Sequence, residues 1–67
     1  MLGKVKTFNK QKGFGFINCQ EEEGDIFFHY SSLVMEGYKT IEVDTPVEFE
    51  LQISEKGKRA INIKVAN

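Results

Sequence analysis

The stretch Lys12-Gly13-Phe14-Gly15-Phe16-Ile17 decides how the rest of this chain is read. Side chains two apart in a strand share a face, so an extended backbone puts Phe14 and Phe16 side by side. Gly15 adds no bulk to the opposite face. Gly13 permits positive φ in the turn that leads in. Two neighbouring rings, with Lys12 at their edge, give nucleobases a surface for stacking and their phosphates a cation.

The dominant period on either side is two, which predicts strands rather than helices. One strand is expected near Lys4 to Asn9 and the next from Phe14 to Cys19, after an Asn9-to-Gly13 turn. A third covers Asp25 to His29, beyond the Glu21-Glu22-Glu23-Gly24 loop. The fourth is the clearest: Val47, Phe49, Leu51 and Ile53 alternate with Glu48, Glu50 and Gln52. In the fifth, Ile61, Ile63 and Val65 alternate with Asn62 and Lys64, after a Glu55-Lys56-Gly57-Lys58 turn. The segment from Ser31 to Thr45 is too long for a hairpin loop; a short helical turn is expected at Ser31-Ser32-Leu33, and Pro46 sits where a strand can begin. Five short strands with turn signals between them predict an all-β fold, a small five-stranded antiparallel Greek-key barrel of the oligonucleotide-binding (OB-fold) kind.

Strand parity assigns the faces. Gly15, Ile17 and Cys19 share one face with Ile26 and Phe28, and with Val5, Val47, Phe49, Leu51, Ile61 and Ile63 they predict the core. Phe14, Phe16 and Asn18, with Asp25, Phe27 and His29, take the other face. Burying Asp25 or His29 unpartnered would be costly, so that face is assigned to solvent. The competing assignment, shifted by one residue, exposes Ile17, Ile26 and Phe28 and buries Asp25. A cluster of exposed rings marks a binding surface, for nucleic acid or for another protein. Thr7 and Phe8 stay ambiguous. Strict alternation groups Phe8 with Lys4 and Lys6, whereas a bulge reverses the end of the strand. Phe8 is expected at least partly on the ligand side.

Sixty-seven residues make one small domain, spanning 1–67, with a limited core. A lone cysteine, Cys19, excludes an internal disulfide and fits a reducing cytoplasm. The start has no long apolar run behind its lysines, so no signal peptide is expected, and no stretch is long enough for a membrane span. The net charge of −1 argues mildly against a nucleic-acid partner. Its distribution argues the other way: Lys4, Lys6, Lys10 and Lys12 precede the first acid, and Lys56, Lys58, Arg59 and Lys64 follow the last one, Glu55.

No catalytic residues and no metal or cofactor site are expected. His29 is the only histidine, and parity turns Cys19 away from it, which rules against a metal set and a Cys–His pair. His29 beside Phe27 reads as a group that stacks on or bonds to a base; the plain alternative is a surface histidine. Glycines 13 and 15 lack the third glycine and following helix of a dinucleotide loop. Glu21-Glu22-Glu23 reads as a solvated loop that repels phosphates. Tyr30 and Tyr38 either extend the stacking surface or pack under the long loop. Lys56, Lys58 and Arg59 are either a solvated turn or contacts to phosphate or base.

The chain resembles bacterial cold-shock proteins over nearly its whole length. Lys12-Gly13-Phe14-Gly15-Phe16-Ile17 is similar to that family's first ribonucleoprotein motif, and Asp25-Ile26-Phe27-Phe28-His29-Tyr30-Ser31 to its second. Gly3-Lys4-Val5-Lys6 and Glu36-Gly37-Tyr38-Lys39-Thr40 fit the family pattern as well. RNA-recognition-motif proteins share the first string, but their motifs occur in the opposite order and they need two helices that have no counterpart here. The resemblance implies the five-stranded barrel, binding of single-stranded RNA and DNA, and an RNA-chaperone role. It implicates Lys6, Lys12, Phe14, Phe16, Phe27, His29, Tyr30 and Tyr38 in binding, with Phe8 beside the platform.

Three positions depart from the family. Thr7 stands where a tryptophan is usual, Phe28 replaces a smaller core residue, and Lys58-Arg59 replaces a common Pro-Gln pair. Weaker stacking and stronger phosphate attraction are expected to follow. The expected function is therefore single-strand binding with low sequence specificity and without enzymatic activity, in the cytoplasm, bearing on transcription or translation. A protein-interaction barrel is the alternative. No membrane or small-molecule partner is expected. A monomer is expected, with a strand-swapped dimer left open.

Overall fold

The alternation becomes five strands in the computed structural model, which describes residues 1–22, 24–34 and 41–66. They are β1 (Leu2–Asn9), β2 (Phe14–Asn18), β3 (Asp25–His29), β4 (Pro46–Ser54) and β5 (Gly57–Val65), with one 3-10 turn at Tyr30–Ser32. The turn starts one residue earlier than expected, and Pro46 is indeed the first residue of β4. The strands close into a barrel in the order β1-β2-β3-β5-β4, the oligonucleotide-binding architecture. Four junctions are antiparallel. The fifth, between β3 and β5, is parallel and is made by Phe27 and Arg59. Between those strands the chain runs through the long segment and up β4, so the β4–β5 hairpin returns β5 in the direction of β3.

Two bulges correct the simple alternation. In β1, Val5 pairs with Ile17 but Thr7 pairs with Phe16, leaving Lys6 as the extra residue. Beyond that point Thr7 faces outward and Phe8, opposite Gly15, turns to the core side. The expectation that Phe8 lies on the ligand side is thereby corrected. Phe8 is half-buried and stacks on Phe28, with ring centroids 5.8 Å apart and planes 9° from parallel.

In β5, Glu48 pairs with Lys64 but Glu50 with Ile61, so Asn62 and Ile63 together oppose Phe49. Asn62 takes the extra position in the left-handed region at φ 51°, which asparagine tolerates better than most residues. Its side-chain amide donates to Glu50 Oε2. The bulge moves Ile61 off the core face, against expectation, and brings in Ala60, which alternation had not marked. Leu51 reaches only the core's margin. Ile53 is 73% exposed, where β4 runs past the end of β1.

The core holds Val5, Ile17, Cys19, Ile26, Phe28, Leu33, Ile41, Val47, Phe49, Ala60 and Ile63. Full burial of a ring such as Phe28 or Phe49 contributes about 1.5–3 kcal/mol. Phe28 needs unusual room. A Cβ at Gly15 would lie 2.8 Å from two carbons of its ring and would overlap the Thr7 carbonyl oxygen. Glycine at 15 thus lets the larger Phe28 fill the barrel. Leu33, after the 3-10 turn, bridges to Ile63 and closes one end.

Candidate nucleic-acid interface

β2 and β3 pair without interruption, Phe14 with His29, Phe16 with Phe27 and Asn18 with Asp25. The unbroken register settles the parity question. Ile17, Ile26 and Phe28 are fully buried, while Phe14, Phe16, Phe27 and His29 are half-buried on the outer face. The three phenylalanines form a triangle: Phe14 to Phe27 6.0 Å, Phe16 to Phe27 6.0 Å and Phe14 to Phe16 6.3 Å. Phe14 and Phe27 are 29° from coplanar, and Phe16 stands nearly edge-on to both. Offset and edge-to-face contacts of this length favour aromatic pairs, so the cluster holds its shape while its upper faces stay open.

The turn before β2 is built to place Lys12 and Gly13. Asn9 Oδ1 accepts from the backbone N–H groups of Gln11 and Lys12, both at 3.0 Å, and Gly13 N–H donates to the Asn9 carbonyl at 2.7 Å. Gly13 adopts φ 75°. A Cβ there would come within 2.6 Å of the Tyr30 ring. Tyr30 N–H donates to the Gly13 carbonyl at 2.7 Å, tying the turn to the end of β3.

His29 and Tyr30 continue the ring surface, with centroids 4.6 Å apart and planes 47° apart. His29 Nδ1 accepts from the Ser31 backbone N–H at 3.2 Å and lies 2.9 Å from Ser31 Oγ. With Nδ1 accepting, the neutral imidazole carries its proton on Nε2, a donor for a ligand. Ser31 ends the second motif in the sequence, but its part in orienting the His29 ring is not legible there.

The cations lie around this patch. Lys12 is exposed on the turn beside Phe14. Lys6, displaced by the β1 bulge, reaches Asp25 at 3.2 Å. Lys58 lies 3.8 Å from Glu22, and Lys56 is exposed at the tip of the β4–β5 hairpin. Asp25 at the start of β3 and Glu22 in the loop before it therefore partner two of the candidate phosphate contacts. Lys6 and Asp25 are both exposed, and such a pair contributes little, so a phosphate can displace that carboxylate; Lys58 and Glu22 are half-buried. Arg59 sits beside Phe27, its Cζ 6.0 Å from the ring centroid, within cation–π range. Tyr38 and the motif at 36–40 lie outside the described residues. Cys19 is buried in the core, on the opposite side of the sheet from His29. No helix among the described residues is long and apolar enough to cross a membrane.

The family model for the 'Cold-shock' DNA-binding domain matches residues 1–66. A cold shock-like protein of Thermotoga maritima is 49% identical over 65 residues, a match covering 97% of each chain. The cold shock protein CspA of Staphylococcus saprophyticus is 48% identical over 61 residues, 91% of each chain. Among solved structures, drosophila Unr CSD456 matches with a TM-score of 0.83 at 30% identity, over 98% of this chain and 26% of that one.

Proposed function

This chain belongs to the 'Cold-shock' DNA-binding domain family, and from that premise we propose that it binds single-stranded RNA and DNA with low sequence specificity and acts as an RNA chaperone. The observation that carries the proposal is the triangle of Phe14, Phe16 and Phe27 on the outer face, each ring within 6.3 Å of the others. Successive bases stack on these rings and on His29 and Tyr30. Lys6, Lys12, Lys56 and Lys58 meet the phosphates, and Arg59 meets a base at the edge. Phe8 supports the platform from beneath through Phe28 rather than touching a base.

Stacking is tolerant of sequence because every base has a π-face. A duplex hides those faces, so the unpaired strand is preferred. Holding unpaired segments shifts an RNA folding equilibrium by differential affinity alone, with no nucleotide hydrolysis and no covalent step. A protein of this kind acts in the cytoplasm, on transcripts and their transcription or translation.

An RNA hairpin carrying a fluorophore and quencher at its ends tests the chaperone role. Added protein should lower the hairpin's melting temperature in a concentration-dependent way without ATP. An unchanged melting curve at saturating protein would contradict it.

A further inference from the structure

Register carries a row of residues straight across the outer face. Thr7 on β1 opposes Phe16 on β2, Phe16 opposes Phe27 on β3, and Phe27 pairs with Arg59 on β5. The β1 end of the row is a small hydroxyl. The β5 end is a planar cation.

Arg59 is held in place from both sides, by its backbone pairing with Phe27 and with Gln52 on β4. The residue is half-buried. Its Nε is buried without a hydrogen-bond partner, and the guanidinium has no carboxylate or carbonyl partner among the described residues. Lys6 and Lys58, by contrast, each face a carboxylate. The Arg59 Nε lies beneath the surface, while the guanidinium carbon stands 6.0 Å from the centre of the Phe27 ring. A base stacked on Phe27 brings its polar edge to this place.

We propose that Arg59 is a specificity-determining residue of this surface, favouring a base with two adjacent acceptors over Phe27. This inference rests on the single-strand binding proposed above. A guanidinium donates two parallel hydrogen bonds from a rigid fork. Guanine answers with O6 and N7. Cytosine answers with O2 and N3. Thymine and uracil place an N–H donor between their two carbonyls, and adenine places its amino group beside N7 and N1, so either base leaves one fork position unmatched. Stacking on the row binds any base, and the fork then ranks them.

Labelled heptathymidine and three variants with one central guanine, cytosine or adenine test this by fluorescence anisotropy. A single guanine avoids four-stranded structures. The guanine and cytosine strands should bind about 5-fold or more tighter than the all-thymine strand, the lower end for a bidentate pair, and the adenine strand should not gain by hydrogen bonding. Arg59→Lys keeps the charge and loses the fork, so it should bring guanine, cytosine and thymine strands within about 2-fold of one another while still binding them all. Equal affinities in the native chain, or an Arg59→Lys variant that keeps the ranking, would overturn the inference and leave single-strand binding intact. Failure of all four strands to bind would overturn the proposed function and this inference with it. The native profile is decisive even where the variant folds poorly.

Discussion

Thr7 stands directly opposite Phe16 across β1 and β2, on the outer face of the barrel. The bulge at Lys6 puts it there, and its side chain is exposed. The aromatic row thus stops one strand short of the β1 edge. Thr7→Trp should extend the row and raise affinity for oligothymidine about 5-fold or more, the gain of roughly one stacked base. Anisotropy titration of the variant beside the native chain measures it. Equal affinities would mean that bases do not travel over β1.

Phe27 and Phe28 are adjacent in sequence and opposite in fate. Phe28 is fully buried and Phe27 lies half-buried in the outer triangle. Phe28→Ala should cost about 3–5 kcal/mol of stability, a large part of what a domain this size has. Phe27→Ala should cost far less stability but weaken single-strand binding about 5-fold or more. Denaturant unfolding and anisotropy, run on both variants, separate the effects. The reverse pattern would place core and binding face the wrong way round.

Gly15 and Phe28 should be energetically coupled. A methyl group at 15 has no space beside the Phe28 ring and the Thr7 carbonyl. Gly15→Ala is expected to destabilise by about 1–3 kcal/mol, as overpacking does. In the Phe28→Val background the same change should cost less, because the ring that it strikes is gone. A double-mutant cycle in urea reads the difference, and strict additivity would contradict the packing account.

The ring surface was legible because its two motifs lie on uninterrupted strands. Parity therefore carried Phe14, Phe16, Phe27 and His29 to one face and Ile17, Ile26 and Phe28 to the other. Parity failed where an extra residue enters a strand. Lys6 reverses Thr7 and Phe8, and Asn62 reverses Ala60 and Ile61. The first bulge is one of the two readings the sequence leaves open for Thr7 and Phe8, the second is not expected from it, and neither is flagged by a glycine. Each is fixed by what the partner strand needs, which is tertiary information. The neighbourhood of Arg59 and Phe27 was hidden for the same reason, since their pairing joins strands that are distant in sequence.

Asp25 holds Lys6 at 3.2 Å and competes with any phosphate for it. Asp25→Asn frees this cation and removes a repelling charge. Stability should change by less than about 1 kcal/mol, because the pair is exposed. Affinity for a single strand should rise at low salt, and the gain should shrink as salt screens the phosphates. Thermal melting and anisotropy at two salt concentrations measure the two effects. A variant that binds more weakly would show that Asp25 itself touches the ligand.

The most direct test of the central claim compares labelled oligothymidine with its duplex, by anisotropy, at low and moderate salt. The account predicts that the single strand binds and the duplex binds far more weakly. Each phosphate contact should contribute a log–log salt slope of about −0.7. A Phe16→Ala variant, still folded, should lose about 5-fold or more in affinity. No single-strand binding at micromolar protein, or full binding by Phe16→Ala, would contradict the account and favour a surface made for another protein.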